Sequence, residues 1–225
     1  MKLRQSSRGE RALTLTEVMF VVVALVVIAL IWLSTLPGAR ARAERQKCHN
    51  IQRSIGLGFR VFANDNDENF PFAVSNSLAF GNVTQAWVHF QTMSNEMSSA
   101  RILLCPADRD RLPNIKSDFA AGASGLATAG NAAVSFAPSL DADATLPKAI
   151  LLLDRNLVTN AFNLRGKVFL AYSNRPPEWD QQMHNACGNA ALSDGSVQQV
   201  SNAGLAEQVR RQDIATNRVL LPLIP

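Results

Sequence analysis

Cysteine is scarce in this chain, and its three copies, Cys48, Cys105 and Cys187, form no CxxC, no CxxCH and no paired zinc spacing. No metal or haem framework is therefore expected. The G-x-S-x-G elbow of serine hydrolases is also missing. Ser193, Ser196 and Cys187 lie near His184 and Asp194 in sequence, but an aspartate used in a tight turn is poorly placed to orient a histidine as a base. The chain is not expected to be an enzyme. The formal charge of +4 would suggest nucleic acid if it sat on a folded surface, but Lys2, Arg4, Arg8 and Arg11 against Glu10 already supply +3 of it. The rest is nearly neutral and carries no evident basic or aromatic cluster, so no nucleic-acid partner is expected.

What is abundant is apolar residues, 47% of 225, and they are concentrated near the start. From Val18 to Leu33, sixteen residues pass without a charge or a strong hydrogen-bonding side chain. Extended to Leu13 and Leu36, the stretch makes a helix about 36 Å long, enough for a hydrocarbon core of roughly 30 Å. A basic run, Arg40, Arg42, Arg45 and Lys47 with Glu44, follows it and suits lipid head groups. The leader, the apolar run and Ala39-Arg40-Ala41 also fit an ordinary signal peptide that releases a secreted or tethered periplasmic protein. Against that stand the length of the run and Glu17, a carboxylate inside an apolar segment. An unpaired acid there costs about 2.5–3.5 kcal/mol. Glu17 needs a partner, and cleavage after Ala12 would create one in the amino group of Leu13, on the same helix or on a neighbouring subunit.

The stretch Ala12-Leu13-Thr14-Leu15-Thr16-Glu17, followed by the apolar run, resembles the type IV prepilin signature. The family more often has Gly and Phe where this chain has Ala12 and Leu13. The resemblance implies a leader over residues 1–12 that a prepilin peptidase removes between Ala12 and Leu13. It also implies N-methylation of Leu13, and Glu17 as the assembly glutamate. His184 and Asp194-Gly195 form an H-x9-D-G arrangement similar to one near the C-terminus of a large group of pilin-like proteins. Lys47-Cys48-His49-Asn50, Phe62-Ala63-Asn64-Asp65-Asn66, Cys105-Pro106-Ala107-Asp108, Asp154-Arg155-Asn156 and Asn217-Arg218-Val219-Leu220-Leu221-Pro222 look like that group too. It is closest to the pseudopilins of type II secretion.

The implied fold is α+β and pilin-like, a long N-terminal transmembrane helix packed on an antiparallel β-sheet head. Residues 13–36 are the transmembrane and assembly helix, 37–63 its amphipathic continuation, and 64–225 the globular, β-rich head. The implied function is that of a structural subunit of a type II secretion pseudopilus or type IV pilus-like filament. It would sit single-pass in the inner membrane, N-terminus cytoplasmic and head periplasmic. Its partners would be the prepilin peptidase, other subunits, and the membrane with its assembly platform. The alternative is a minor pilin that binds DNA or a surface.

The residues themselves add detail. Pro37-Gly38 should kink or locally melt the helix. Beyond it, Cys48, Ile51, Ile55, Phe59 and Phe62 recur at spacings of three and four and form one face, with Arg45, Gln46, Gln52, Arg53 and Arg60 mainly elsewhere. The turn formers from Asn64 to Pro71 should end the helix. Asp65, Asp67 and Asn69 faintly match the start of a calcium loop but lack its Gly and Glu, so capping is preferred, calcium is the alternative, and no cofactor is expected. Strands are expected over Ala86 to Phe90, Ile102 to Leu104, Ala149 to Leu153, Val168 to Tyr172, Ala190 to Leu192 and Val197 to Val200. A type I′ turn is expected at Asp194-Gly195, a long loop over Ala120 to Ala133, and a helix over Gly204 to Gln212. A disulfide between Cys48 and Cys105 would staple helix to body if their Cα atoms lie within about 7 Å. His184 is expected to bond the hairpin backbone or pair with Asp194, a structural role preferred over a metal or substrate site.

Overall fold

A single helix, α1 (Leu15–Asp65), carries the apolar run and its continuation. The structure is a computed structural model and describes residues 14–77, 85–158, 168–172, 174–214 and 216–223. Leader residues 1–12, the Ala12–Leu13 cleavage position and the Leu13 amine lie outside the described residues. The chain forms two compact units, Met1–Arg42 and Ala43–Pro225. The expected local melting at Pro37-Gly38 does not occur, since α1 is helical without a break through both residues.

In the first unit, Leu15–Trp32 is a helix long and apolar enough to cross a membrane, and none of it is buried. Successive residues 100° apart expose Val21, Val22, Val23 and Phe20 alike, so the surface is apolar all round rather than along one stripe.

The second unit is mixed helix and sheet. Its part of α1 buries Cys48, Ile55, Phe59, Phe62 and Ala63, as the three-four spacing predicts, with Ile51 partly covered. Gln52 departs from expectation: it lies on the buried face, fully enclosed, because its amide has partners there. The helix stops where Asp67 and Glu68 take positive φ and the side chain of Asn66 bonds back to the Phe62 carbonyl. Asn69 likewise donates to the carbonyls of Asn66 and Asp67, so this cluster serves as a cap.

After the turn, two short helices, α2 (Pro71–Ser77) and α3 (Ala86–Thr92), flank the head of α1 with an aromatic cluster. Phe59 meets Phe70, Phe72 and Phe90 at ring separations of 5.8, 6.2 and 6.1 Å. The expected strand over Ala86 to Phe90 is thus a helix. A short, mostly apolar run does not declare its period, and the buried set Ala86, His89 and Phe90 follows helical spacing. Ile102 to Leu104 also departs from the expected strand, since Ala100–Leu103 form a tight helical turn that Ser99 caps. The stretch expected as a loop with little to bury contains α4 (Leu126–Ala129) and a second tight turn over Gly130–Ala133, and it buries Leu126, Asn131 and Ala133.

The main sheet is antiparallel with β1 (Phe136–Pro138), β2 (Ile150–Asp154), β6 (Cys187–Leu192) and β7 (Val197–Ser201) in the order β1-β2-β6-β7. All five residues of β2 are buried, as in a strand covered on both faces. Leu151 and Leu152 pack with α1, whereas Ile150 and Leu153 pack with Leu205 and Val209 of α5 (Asn202–Arg211), and a register shift between Ile150 and Leu152 allows this split. Two further antiparallel pairs complete the unit: β3 (Leu157–Val158) with β5 (Glu178–Trp179), and β4 (Val168–Tyr172) with β8 (Thr216–Leu220).

The β6–β7 connection differs from the expected two-residue turn. Only Gly195 has positive φ, at 85°, and its N–H donates to the Leu192 carbonyl. This is a three-residue loop, Ser193-Asp194-Gly195, closed by a glycine bulge, and the Asp194 carboxylate accepts from the Ser196 N–H.

Candidate functional site

Two groups of residues carry chemistry, and they lie in different units. The first is the start of α1. Thr14 is its N-cap: the Glu17 N–H donates to Thr14 Oγ1 at 3.4 Å, and Glu17 Oε2 accepts from the Thr14 N–H and hydroxyl at 3.3 Å each. This is a capping box, in which two otherwise orphaned donors of a helix N-terminus are satisfied reciprocally. Glu17 thus has a local partner as well as the favourable end of the helix dipole. The signal was legible as Thr-x-x-Glu before an apolar run, although the sequence reading looked only for a charged partner.

The second group lies between α1 and the sheet. Cys48 of α1 is disulfide-bonded to Cys105, which follows the Ala100–Leu103 turn, with Cα atoms 5.2 Å apart. Beside this disulfide, His184 Nε2 lies 3.4 Å from Cys105 Sγ and 3.6 Å from Asp154 Oδ2. Asp154, at the end of β2, accepts from Gln52 Nε2 at 2.9 Å and from the Asn189 N–H and side-chain amide at 2.7 and 3.0 Å. Cys48, Cys105, Asp154 and Asn189 are all wholly buried, and His184 is nearly so.

The expectation for His184 needs correcting on this geometry. It neither bonds the hairpin nor pairs with Asp194, whose carboxylate serves its own turn. His184 instead reaches the disulfide because its loop is bent sharply: Met183, Asn185 and Ala186 all have φ between 55° and 58°. Left-handed conformations cost on the order of 1–3 kcal/mol each in residues other than glycine and persist only where the surroundings impose them. Arg45 of α1 holds the loop by donating to the His184 carbonyl at 2.8 Å, and the Ala186 N–H bonds the Asp180 carbonyl.

Burial pushes the Asp154 carboxyl up to about 7, against the pull of its amide donors. Burial, aided by Arg45, pushes the His184 imidazole down to about 4. Both shifts favour neutral forms: the imidazole is uncharged near neutral pH, and the carboxyl is neutral below about pH 7, with the amide donors of Gln52 and Asn189 to meet its charge above that.

Other phrases singled out in the sequence meet nearby. Asp108 takes a bidentate ion pair from Arg155 at 2.6 Å per bond, and a hydrogen bond from Ser135. Arg111 donates to the carbonyls of Asn131, Val134 and Pro222, fastening the C-terminal segment. The sequence reading missed Gln52, Asp154 and Asn189 as a network, because nothing in their spacing announces that they converge.

Among the described residues, Cys48, Cys105 and His184 are the group whose ligand-type atoms all lie within 4.8 Å of one another. Comparison with family models, with curated proteins and with solved structures finds no match.

Proposed function

We propose that the chain is a structural subunit of a pilus-like filament, either a type II secretion pseudopilus or a type IV pilus-like assembly. In this reading a prepilin peptidase removes residues 1–12, the Leu13 amine is methylated, and α1 anchors the subunit in the inner membrane with the head outside the cytoplasm. Release from the membrane into a filament packs the apolar helices of neighbouring subunits together.

The observation that carries the reading is the all-round apolar exposure of Leu15–Trp32 in a helix that continues without interruption into residues buried in the head. Such a surface requires lipid or other apolar helices around it. Glu17 then has two uses. It caps its own helix, and in the filament its carboxylate meets the Leu13 amine of the next subunit, where loss of either partner leaves an unpaired charge in an apolar setting.

A second reading, a secreted protein released by an ordinary signal peptidase after Ala41, draws on the boundary at Arg42, since the compact head begins at Ala43. Incorporation separates the two. Glu17→Val is expected to leave membrane insertion and the head fold intact while excluding the subunit from filaments that accept the wild type. Incorporation equal to that of the wild type would overturn the filament mechanism.

A further inference from the structure

The geometry points to a metal site of the zinc class at Cys48, Cys105 and His184, which forms when the disulfide is reduced and which the disulfide masks when oxidised.

Three observations support it. First, the spacing between donor types already suits a cation. A tetrahedral zinc with bonds of about 2.3 Å to sulfur and about 2.0 Å to nitrogen separates its sulfur and nitrogen ligands by roughly 3.5 Å, and His184 Nε2 lies 3.4 Å from Cys105 Sγ. The ligand-type atoms of Cys48, Cys105 and His184 all lie within 4.8 Å of one another. Only the sulfur–sulfur edge must open, from a bond to roughly 3.8 Å. Second, the same nitrogen lies 3.6 Å from Asp154 Oδ2, so a carboxyl group is at hand for a fourth position. Third, Met183, Asn185 and Ala186, on both sides of His184, hold left-handed φ in the loop that places this nitrogen ligand in the interior.

Charge favours the arrangement. Reduction takes two electrons and two protons from two equivalents of thiol, which leave as a disulfide, or two electrons from a phosphine, which leaves as its oxide while water supplies the oxygen and the two protons; the metal then displaces both thiol protons. Two thiolates and a neutral imidazole around a dication leave the buried centre with no net charge from these ligands. Entry runs through the His184 loop, where Gln181, Gln182 and Asn185 are exposed. Cys187, which is not bonded and has its own partly exposed position, takes no part.

The test is titration of the full chain, in detergent and kept reduced by a phosphine, with Co2+. One equivalent is expected to bind, with thiolate-to-cobalt charge-transfer absorption and the visible bands of a tetrahedral centre, all displaced by Zn2+. Cys48→Ser should lower the charge-transfer absorption. His184→Ala should weaken binding by at least about tenfold. His184→Cys should keep binding and add a third thiolate to the absorption, a change that a merely structural histidine would not produce. Cys187→Ser should alter nothing. A reduced chain that stays folded and takes up no Co2+ would overturn the proposal. So would a spectrum that survives His184→Ala but disappears with Cys187→Ser. If reduction unfolds the head, Zn2+ must restore its native circular dichroism, and failure to do so also refutes the site.

Discussion

The two stretches of α1 follow one helical course under opposite rules. Over Leu15–Trp32 every face is apolar and none is buried, whereas over residues 43–65 one face is buried and the other carries Arg53, Leu57 and Asn64 toward solvent. The first stretch has no core of its own and is specified for surroundings that lie outside the chain. The second is specified by the head, down to a buried glutamine whose amide has a carboxylate partner. What separates them is where each apolar surface finds contact.

Truncation should break this contrast most sharply. Phe59→Ala, at the centre of the aromatic cluster, is expected to destabilise the head by about 3–5 kcal/mol in denaturant unfolding. Phe20→Ala, 78% exposed, should leave head stability within about 0.5 kcal/mol while weakening membrane retention. Equal effects on the head would erase the distinction.

Next in size is the staple. Replacing Cys48 and Cys105 together by Ser, which opens a 57-residue separation, should lower head stability by about 2–4 kcal/mol. It should leave retention through Leu15–Trp32 unchanged, as fractionation of membranes would show.

The buried pair gives a smaller, pH-dependent signature. Asp154 has its folded pKa raised from 3.8 to about 7, so its favourable contribution is complete below pH 3.8 and is lost as pH rises toward 7. His184 has its folded pKa lowered from 6.5 to about 4, so its contribution is present above pH 6.5 and is lost as pH falls toward 4. The opposing slopes flatten the wild-type profile between pH 4 and 6.5. Asp154→Asn should remove the loss on the alkaline side, and unfolding midpoints measured from pH 4 to 8 in both proteins would show whether the curves diverge as pH rises.

The smallest effect belongs to the cap. Thr14→Ala removes one half of the box with Glu17 and should cost about 1 kcal/mol locally, seen as faster amide exchange in the first turn of α1 and no change in the head.

Much of the frame was readable from residues alone. The apolar helix, the Cys48–Phe62 stripe and α5 declare a period or a cap, and β2, β6 and β7 stand out as short runs separated by turn formers. Ala86–Phe90 did not, because five mostly apolar residues fit either period until Phe59 supplies the face they pack on. The stretch from Ala120 to Ala133 read as filler, yet Asn131 anchors the Trp87 N–H through its side chain, a contact across 44 residues that no local pattern encodes. The histidine of the H-x9-D-G arrangement was legible as notable, but its partners were not. Asp194 is consumed by its own turn, and His184 turns instead to Asp154 and Cys105, 30 and 79 residues away.

The central claim is that α1 remains part of the mature protein as an assembly and anchoring element. Intact-mass and N-terminal analysis of the chain recovered from membranes of cells with an active prepilin peptidase tests it most directly. A start at Leu13 carrying an added methyl group is the predicted result, and a start after Ala41, with the apolar helix gone, would contradict it.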